Sequence, residues 1–188
     1  MPRPDQSRDR IIAAAASLLR QRGYAATSTT DVLGVAGATT GSLYHHFPGG
    51  KEDLAVAALG ISTDVVHDAL LAALDSAPST ADALTAWIAR LASALDADPR
   101  NGCPIAPAAL EAVHASERLR AAAATAFQRW AAAIASGLVT EGWPPQQARP
   151  TAIAVLSLIE GALMLSRTAG DTEALAAAAD QIEHLLRR

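Results

Sequence analysis

The sequence predicts an all-α protein of about nine helices. Alanine dominates it, β-branched residues are sparse, and only seven of its 188 residues are aromatic. Such a composition favours helix throughout. Apolar residues recur at three- and four-residue spacing along most of the chain. The breaks between these runs fall on glycine, proline or short polar clusters, and no stretch reads convincingly as a strand.

Ile11, Ile12, Ala15, Leu18 and Leu19 define a first helix from about Ser7 to Arg22, ended by Gly23. Residues 2–6 are expected to form a disordered arm. Ser28 followed by Asp31 has the form of a capping box, so a short helix should run over about 29–36. Val32, Leu33, Val35 and Ala36 give it an apolar face, and Gly37 ends it. Thr39 can cap a second short helix over about 40–46, whose first turn carries Thr40, Gly41 and Ser42. A fourth helix should run from Lys51 toward Leu74. The next covers about 80–96, after the Ser76-Ala77-Pro78-Ser79 break. Cys103-Pro104 should open a short helix to about His114, and a long one spans about Ser116 to Thr140. Gly142-Trp143-Pro144-Pro145 precedes two last helices at about 146–168 and 172–187, split by Gly170 and capped by Asp171.

The segment 27–54 therefore reads as two short helices around a glycine turn. The exposed N-terminal turn of the second is small, polar and hydrogen-bonding, which suits entry into a DNA major groove. The pattern Gly23-Tyr24, Thr27-Ser28, Asp31-Val32, Ala36-Gly37 and Gly41 to Phe47 resembles the helix-turn-helix of the TetR family of bacterial transcriptional repressors. Pro48-Gly49-Gly50-Lys51-Glu52-Asp53-Leu54 has one residue more than the commoner form of that family. With Gly102-Cys103-Pro104-Ile105-Ala106 it resembles the LmrA/YxaF-like branch. The resemblance implies a DNA-binding domain over residues 1–50, with the helix-turn-helix at about 29–48. A ligand-binding and dimerisation domain would then occupy 51–188.

The resemblance also implies which residues meet DNA. Tyr44 and His45, on different faces of the recognition helix, touch the backbone, while Phe47 packs inside. His46 is open between packing and phosphate. Lys51, the only lysine, stands at a helix start and would reach a phosphate. Thr27, Ser28 and Thr29 could bind phosphate through hydroxyls, although capping alone would explain them. From their chemistry, Thr40, Gly41 and Ser42 can reach base edges, and Thr39, the expected cap, is a DNA-binding candidate beside them; Thr40 stands where many members carry Lys or Arg. Arg8 and Arg10 are weaker candidates.

In the body, Trp87, Leu91, Cys103, Phe127, Trp130, Ile134, Leu156, Glu160 and Met164 lie on the helices that enclose the effector pocket of the family. Core packing is the alternative for each. Glu160 is the pointed case, because an acid amid Leu156, Leu158, Ile159, Leu163 and Met164 needs a partner if buried. Cys103 could be a thiol sensor or an inert buried cysteine. Dimerisation is expected through the last two helices, using Ile153, Leu156, Ile159 and Leu163 with Leu175, Ile182, Leu185 and Leu186.

Residues 1–53 carry six basic and five acidic residues, and the remainder nine against fourteen. The acidic excess thus lies beyond the helix-turn-helix, although ordinary surface charge would give the same count. A single cysteine excludes an intrachain disulfide and fits a reducing cytoplasm. No secretory leader and no membrane span are expected. The five histidines show no metal-ligand spacing with Cys103, and there is no phosphate loop or nucleophile elbow. No cofactor, no metal and no enzyme activity are therefore expected. The rival readings are a small helical enzyme using Glu160 or His114, and a TetR-like protein that acts without ligand or as an activator.

Overall fold

The structure is a computed structural model that describes residues 4–187. Nine helices and no strand are found among the described residues. They are α1 (Pro4–Arg22), α2 (Thr29–Ala36), α3 (Thr40–His46), α4 (Lys51–Ser76) and α5 (Thr80–Ala97), then α6 (Ala106–Ala115), α7 (Glu117–Thr140), α8 (Pro145–Ala169) and α9 (Glu173–Leu186).

Local chemistry sets most boundaries. The Ser28 hydroxyl accepts from the Asp31 amide at 3.0 Å, and the Asp31 carboxylate accepts from the Ser28 amide at 3.4 Å, which completes the expected capping box of α2. Gly37 ends α2 at φ 58°, a left-handed conformation that costs a β-carbon about 1–2 kcal/mol. Thr39 caps α3 by accepting from the Ser42 amide at 3.3 Å. Before α9, the Asp171 carboxylate accepts from the Glu173 amide at 3.1 Å, although Thr172 occupies the cap position.

Three boundaries differ from expectation. Residues 4–6 of the expected arm form the first turn of α1, where Pro4 costs no hydrogen bond; residues 2 and 3 lie outside the described residues. Helix α6 begins at Ala106 and not at Cys103. Pro104 disfavours helical geometry at Cys103, while Pro107 sits harmlessly in the first turn. Pro150 lies inside α8. It removes one intrahelical donor to Gln146, which is solvent-exposed along with Pro150 itself.

The described chain divides into two compact units. The first comprises the residues up to Asp64 with Pro104–Ala126, the second Val65–Cys103 with Phe127 onward. In the first unit α1 buries Ile11, Ile12, Ala15, Leu18 and Leu19, together with Val32, Leu43, Phe47, Leu54 and Leu59. This core holds α2 and α3 against α1. In the second, α9 packs on both α5 and α8.

That arrangement changes the reading of the last two helices. Ile159, Leu163, Leu175, Ile182 and Leu186, all expected at a dimer seam, are buried within the protomer. They fill the layer between α9 and its neighbours first. Ile153 and Leu185 of the same set remain exposed, as do Leu158, Met164 and Leu165.

By length and composition α4 and α8 reach the range of a bilayer-crossing helix, with 39% and 33% of their most apolar windows buried. Asp64 and Asp68 interrupt α4, and Glu160 interrupts α8. Core helices of soluble proteins have the same length and apolarity.

Candidate DNA-binding surface and body cavity

Helix α3 presents a coherent outward edge. Thr39, Thr40, Gly41, Tyr44 and His45 are exposed, whereas Leu43 and Phe47 are buried beneath them. A β-carbon on Gly41 would meet nothing nearer than the Thr39 hydroxyl at 3.9 Å, so the fold itself does not demand glycine there. Ser42 is half-buried, and its hydroxyl lies 2.7 Å from that of Ser7 on α1. His46 is half-buried, edge-on to His45 and Phe47. The Tyr44 ring lies against Gly50, where an added β-carbon would sit 3.4 Å from it. Gly50 has φ 65°, a left-handed conformation that favours glycine.

The other expected phosphate ligands divide. Ser28 is exposed and Thr29 half-buried at the start of α2. Thr27 is buried, and its hydroxyl donates inward to the Gly23 carbonyl at 2.7 Å. Its hydroxyl proton therefore holds the α1–α2 turn rather than facing solvent. Lys51 is half-buried at the first position of α4. Its ammonium lies 4.3 Å from the centroid of the Tyr24 ring and donates to the Ala25 carbonyl at 3.4 Å.

Helices α6 and α7 brace this first unit through contacts that the sequence did not reveal. Glu111 on α6 accepts a hydrogen bond from the Ala25 amide. At the start of α7, Arg118 donates to Asp53 at 2.7 Å and to Glu52 at 3.0 Å, and Ser116 also bonds Glu52. Hydrogen bonds hold both carboxyls below their ordinary range: chiefly from Ser116 for Glu52, and from Arg118 and the Gly49 amide for Asp53.

The second unit contains a cavity of about 990 Å³ between α7 and α8. Phe127, Ala131, Ala132 and Ala135 line one side, and Arg149, Ile153, Leu156 and Glu160 the other. The alanines leave the space, and the volume lies at the upper end of the range for small-molecule sites. Of the expected pocket residues, Phe127, Leu156 and Glu160 line it. Trp130 and Ile134 are buried, and Trp130 stands edge-on to Phe127 with ring centroids 5.6 Å apart. Met164 is exposed. Trp87, half-buried, carries the Arg90 guanidinium over its ring, and Leu91 is half-buried on the same helix. Cys103 is buried, and its thiol donates to the Glu160 carboxylate. Burial pushes the Glu160 carboxyl up, and the thiol offsets that in part. Arg149 was missed, although its spacing of eleven residues from Glu160 puts both on one face of α8. No cluster of metal-ligating side chains occurs among the described residues.

Comparison with known proteins matches both parts of this architecture. Residues 11–58 match the tetR family of bacterial regulatory proteins. Residues 80–181 match the C-terminal domain of LmrA/YxaF-like transcriptional regulators. The chain belongs to the TetR family. It is 33% identical to the HTH-type transcriptional regulator YxaF of Bacillus subtilis, over 97% of this chain and 96% of that one. It is 31% identical to the HTH-type transcriptional regulator LmrA of the same organism, over 97% of each. Among solved structures, a TetR transcriptional regulator from Chloroflexus aurantiacus is 26% identical with a TM-score of 0.82, over 99% of this chain and 96% of that one. A TetR-family regulator from Agrobacterium tumefaciens, 20% identical, shares the fold with a TM-score of 0.86 over 99% and 100% of the two chains. This TetR-family protein is thus a DNA-binding transcriptional regulator, and its relatives are regulators rather than enzymes.

Proposed function

We propose that this TetR-family regulator is a homodimeric repressor that binds a pseudo-palindromic operator and is released by a small apolar or amphipathic effector. The cytoplasm, where a bacterial chromosome lies, is its place of action. The observation that carries the effector reading is the cavity between α7 and α8, with its alanine walls and its single acid. A site with these proportions suits a drug-sized amphipathic molecule.

The two-fold arrangement draws support from α8. Ala154, Ser157, Leu158, Gly161, Met164, Leu165 and Thr168 recur at three- and four-residue spacing, and nearly all are exposed. Apolar and small residues along one stripe let a second copy approach closely. A dimer on DNA needs its recognition helices about 34–36 Å apart, one turn of duplex. Helices α4 and α7 each run from one unit into the other. An effector that binds one spacing better than the other shifts the population accordingly. Moving it from mostly bound to mostly released takes about 5.5 kcal/mol, which two pockets supply at about half each.

The test uses Nile red, a neutral apolar dye, and an operator selected from genomic fragments. Trp130 is core, so Trp130→Ala would perturb folding; Phe127→Ala probes the cavity wall instead. The dye should bind saturably and lower operator affinity, and Phe127→Ala should weaken that response while operator affinity without dye holds. Loss of operator binding with an intact dye response would contradict the reading.

A further inference from the structure

Building on the reading of the cavity as an effector site, we infer that its preferred occupant is an organic cation. Its positive group is seated at Glu160 and its apolar body lies along Leu156, Ile153 and the alanines of α7.

A carboxylate taken out of water is expensive unless a cation or several hydrogen bonds replace the solvent. Glu160 lines the cavity in company that is largely apolar. Its ionised form offers about four lone-pair positions. The Cys103 thiol, a weak donor, addresses it, and burial still prevails over that bond. No arginine is among the groups that hold the carboxyl down. The charge is thus poorly compensated in the empty cavity, and a cationic ligand supplies the missing counter-charge. This makes the acid a source of selectivity: a neutral ligand of the same shape leaves Glu160 as it was.

Arg149 also lines the cavity and would repel a cation placed beside it. It is eleven residues from Glu160 on the same face of α8, about 16 Å along the helix at 1.5 Å per residue. Coulomb energy falls as the inverse of distance, so repulsion at that separation is about a quarter of the attraction between charges about 4 Å apart. A cation therefore settles at the Glu160 end, and the apolar segment between the two charges takes an elongated body. Cys103, from the segment before α6, donates to Glu160, while Gln128 on α7 and Arg149, farther off on α8, also line the cavity. Arg167 lies farther along α8, with a guanidinium nitrogen 3.1 Å from where a β-carbon on Gly102 would be.

Three matched rod-shaped fluorophores test this: diphenylhexatriene, its trimethylammonium derivative and its propionic acid derivative. The cationic probe should bind about tenfold or more tightly than the neutral one, because its charge lies against a carboxylate in a site of low polarity. Glu160→Gln should abolish that margin and leave the neutral probe unchanged. Because the trimethylammonium charge is permanent, its affinity for the unaltered protein should rise with pH as Glu160 ionises. The rise should lie above the ordinary carboxylate range, and Glu160→Gln should be flat there. If cation and neutral probe bind equally, or the anion binds best, while Phe127→Ala weakens all three, the cavity is an effector site and the cation inference is wrong. If no probe binds saturably, the inference and the effector reading fail together.

Discussion

The ammonium of Lys51 rests on the face of the Tyr24 ring, 4.3 Å from its centroid. The first residue of α4 is thereby tied to the turn that follows α1. Cation–π contacts at partly exposed sites contribute about 0.5–1 kcal/mol, enough to favour one rotamer of a long side chain. The ring leaves the charge intact and holds it at the turn between α1 and α2, where it also donates to the Ala25 carbonyl.

If Lys51 meets a phosphate, Lys51→Ala should weaken binding to all DNA sequences about equally and flatten the salt slope by about one unit. Tyr24→Leu keeps the charge and loses its support. It should lower affinity less and leave the slope unchanged. Titrations at several salt concentrations report both; an unaltered slope in Lys51→Ala would remove the phosphate assignment.

Gly41 has open space around its missing side chain, so packing within the protomer does not require glycine there. Gly41→Ala should leave the melting temperature unchanged or slightly raised, since alanine is the better helix former. Operator affinity should fall because the added methyl keeps the α3 backbone from the groove. Thr40→Ala should instead change which bases are preferred. A Gly41→Ala protein with full operator affinity would show that α3 does not approach DNA at this edge.

The parts of the fold that depend on near neighbours in sequence were legible in it. Ser28 with Asp31, Gly37 and Thr39 act on amides within a few residues, so α2 and α3 begin and end where expected. The start of α6 was misplaced because two prolines compete there. Pro104 constrains the residue before it, and Pro107 supplies the first turn. The faces of α8 and α9 were less readable. Both are apolar on more than one side, and periodicity does not say which side a helix of the same chain will cover. On α8, Leu163 turns inward and Met164 outward. Tyr24 beneath Lys51, Glu111 at the Ala25 amide and Arg118 at Glu52 and Asp53 join residues far apart in sequence, and no local pattern announces them.

Glu160 gives a stability signature with a definite sign. Burial raises its carboxyl, so the folded chain holds the proton more tightly than the unfolded chain does. Its contribution is fully present below the ordinary carboxylate range and is lost as pH rises through the raised folded value. Melting temperatures of the unaltered protein and Glu160→Gln, measured across pH, should therefore diverge upward from that range, with the variant holding its stability better. Divergence in the opposite direction would mean that the ionised carboxylate is well compensated.

The exposed stripe on α8 predicts the dimer. Leu158→Glu with Leu165→Glu should yield a folded monomer by sedimentation, because both side chains face solvent in the protomer. Leu163→Glu should instead unfold the chain, since it buries a charge. A persistent dimer in the double variant would place the interface elsewhere.

The account rests most heavily on paired recognition helices reading a two-fold site. Footprinting on genomic fragments, combined with the mass of the complex, tests this directly. The predicted result is a pseudo-palindromic site with half-site centres about 10–10.5 base pairs apart, or a multiple of that, and two protomers for each pair of half-sites. Retention of no fragment above background at low salt, or protection of a single half-site by one protomer, would contradict it.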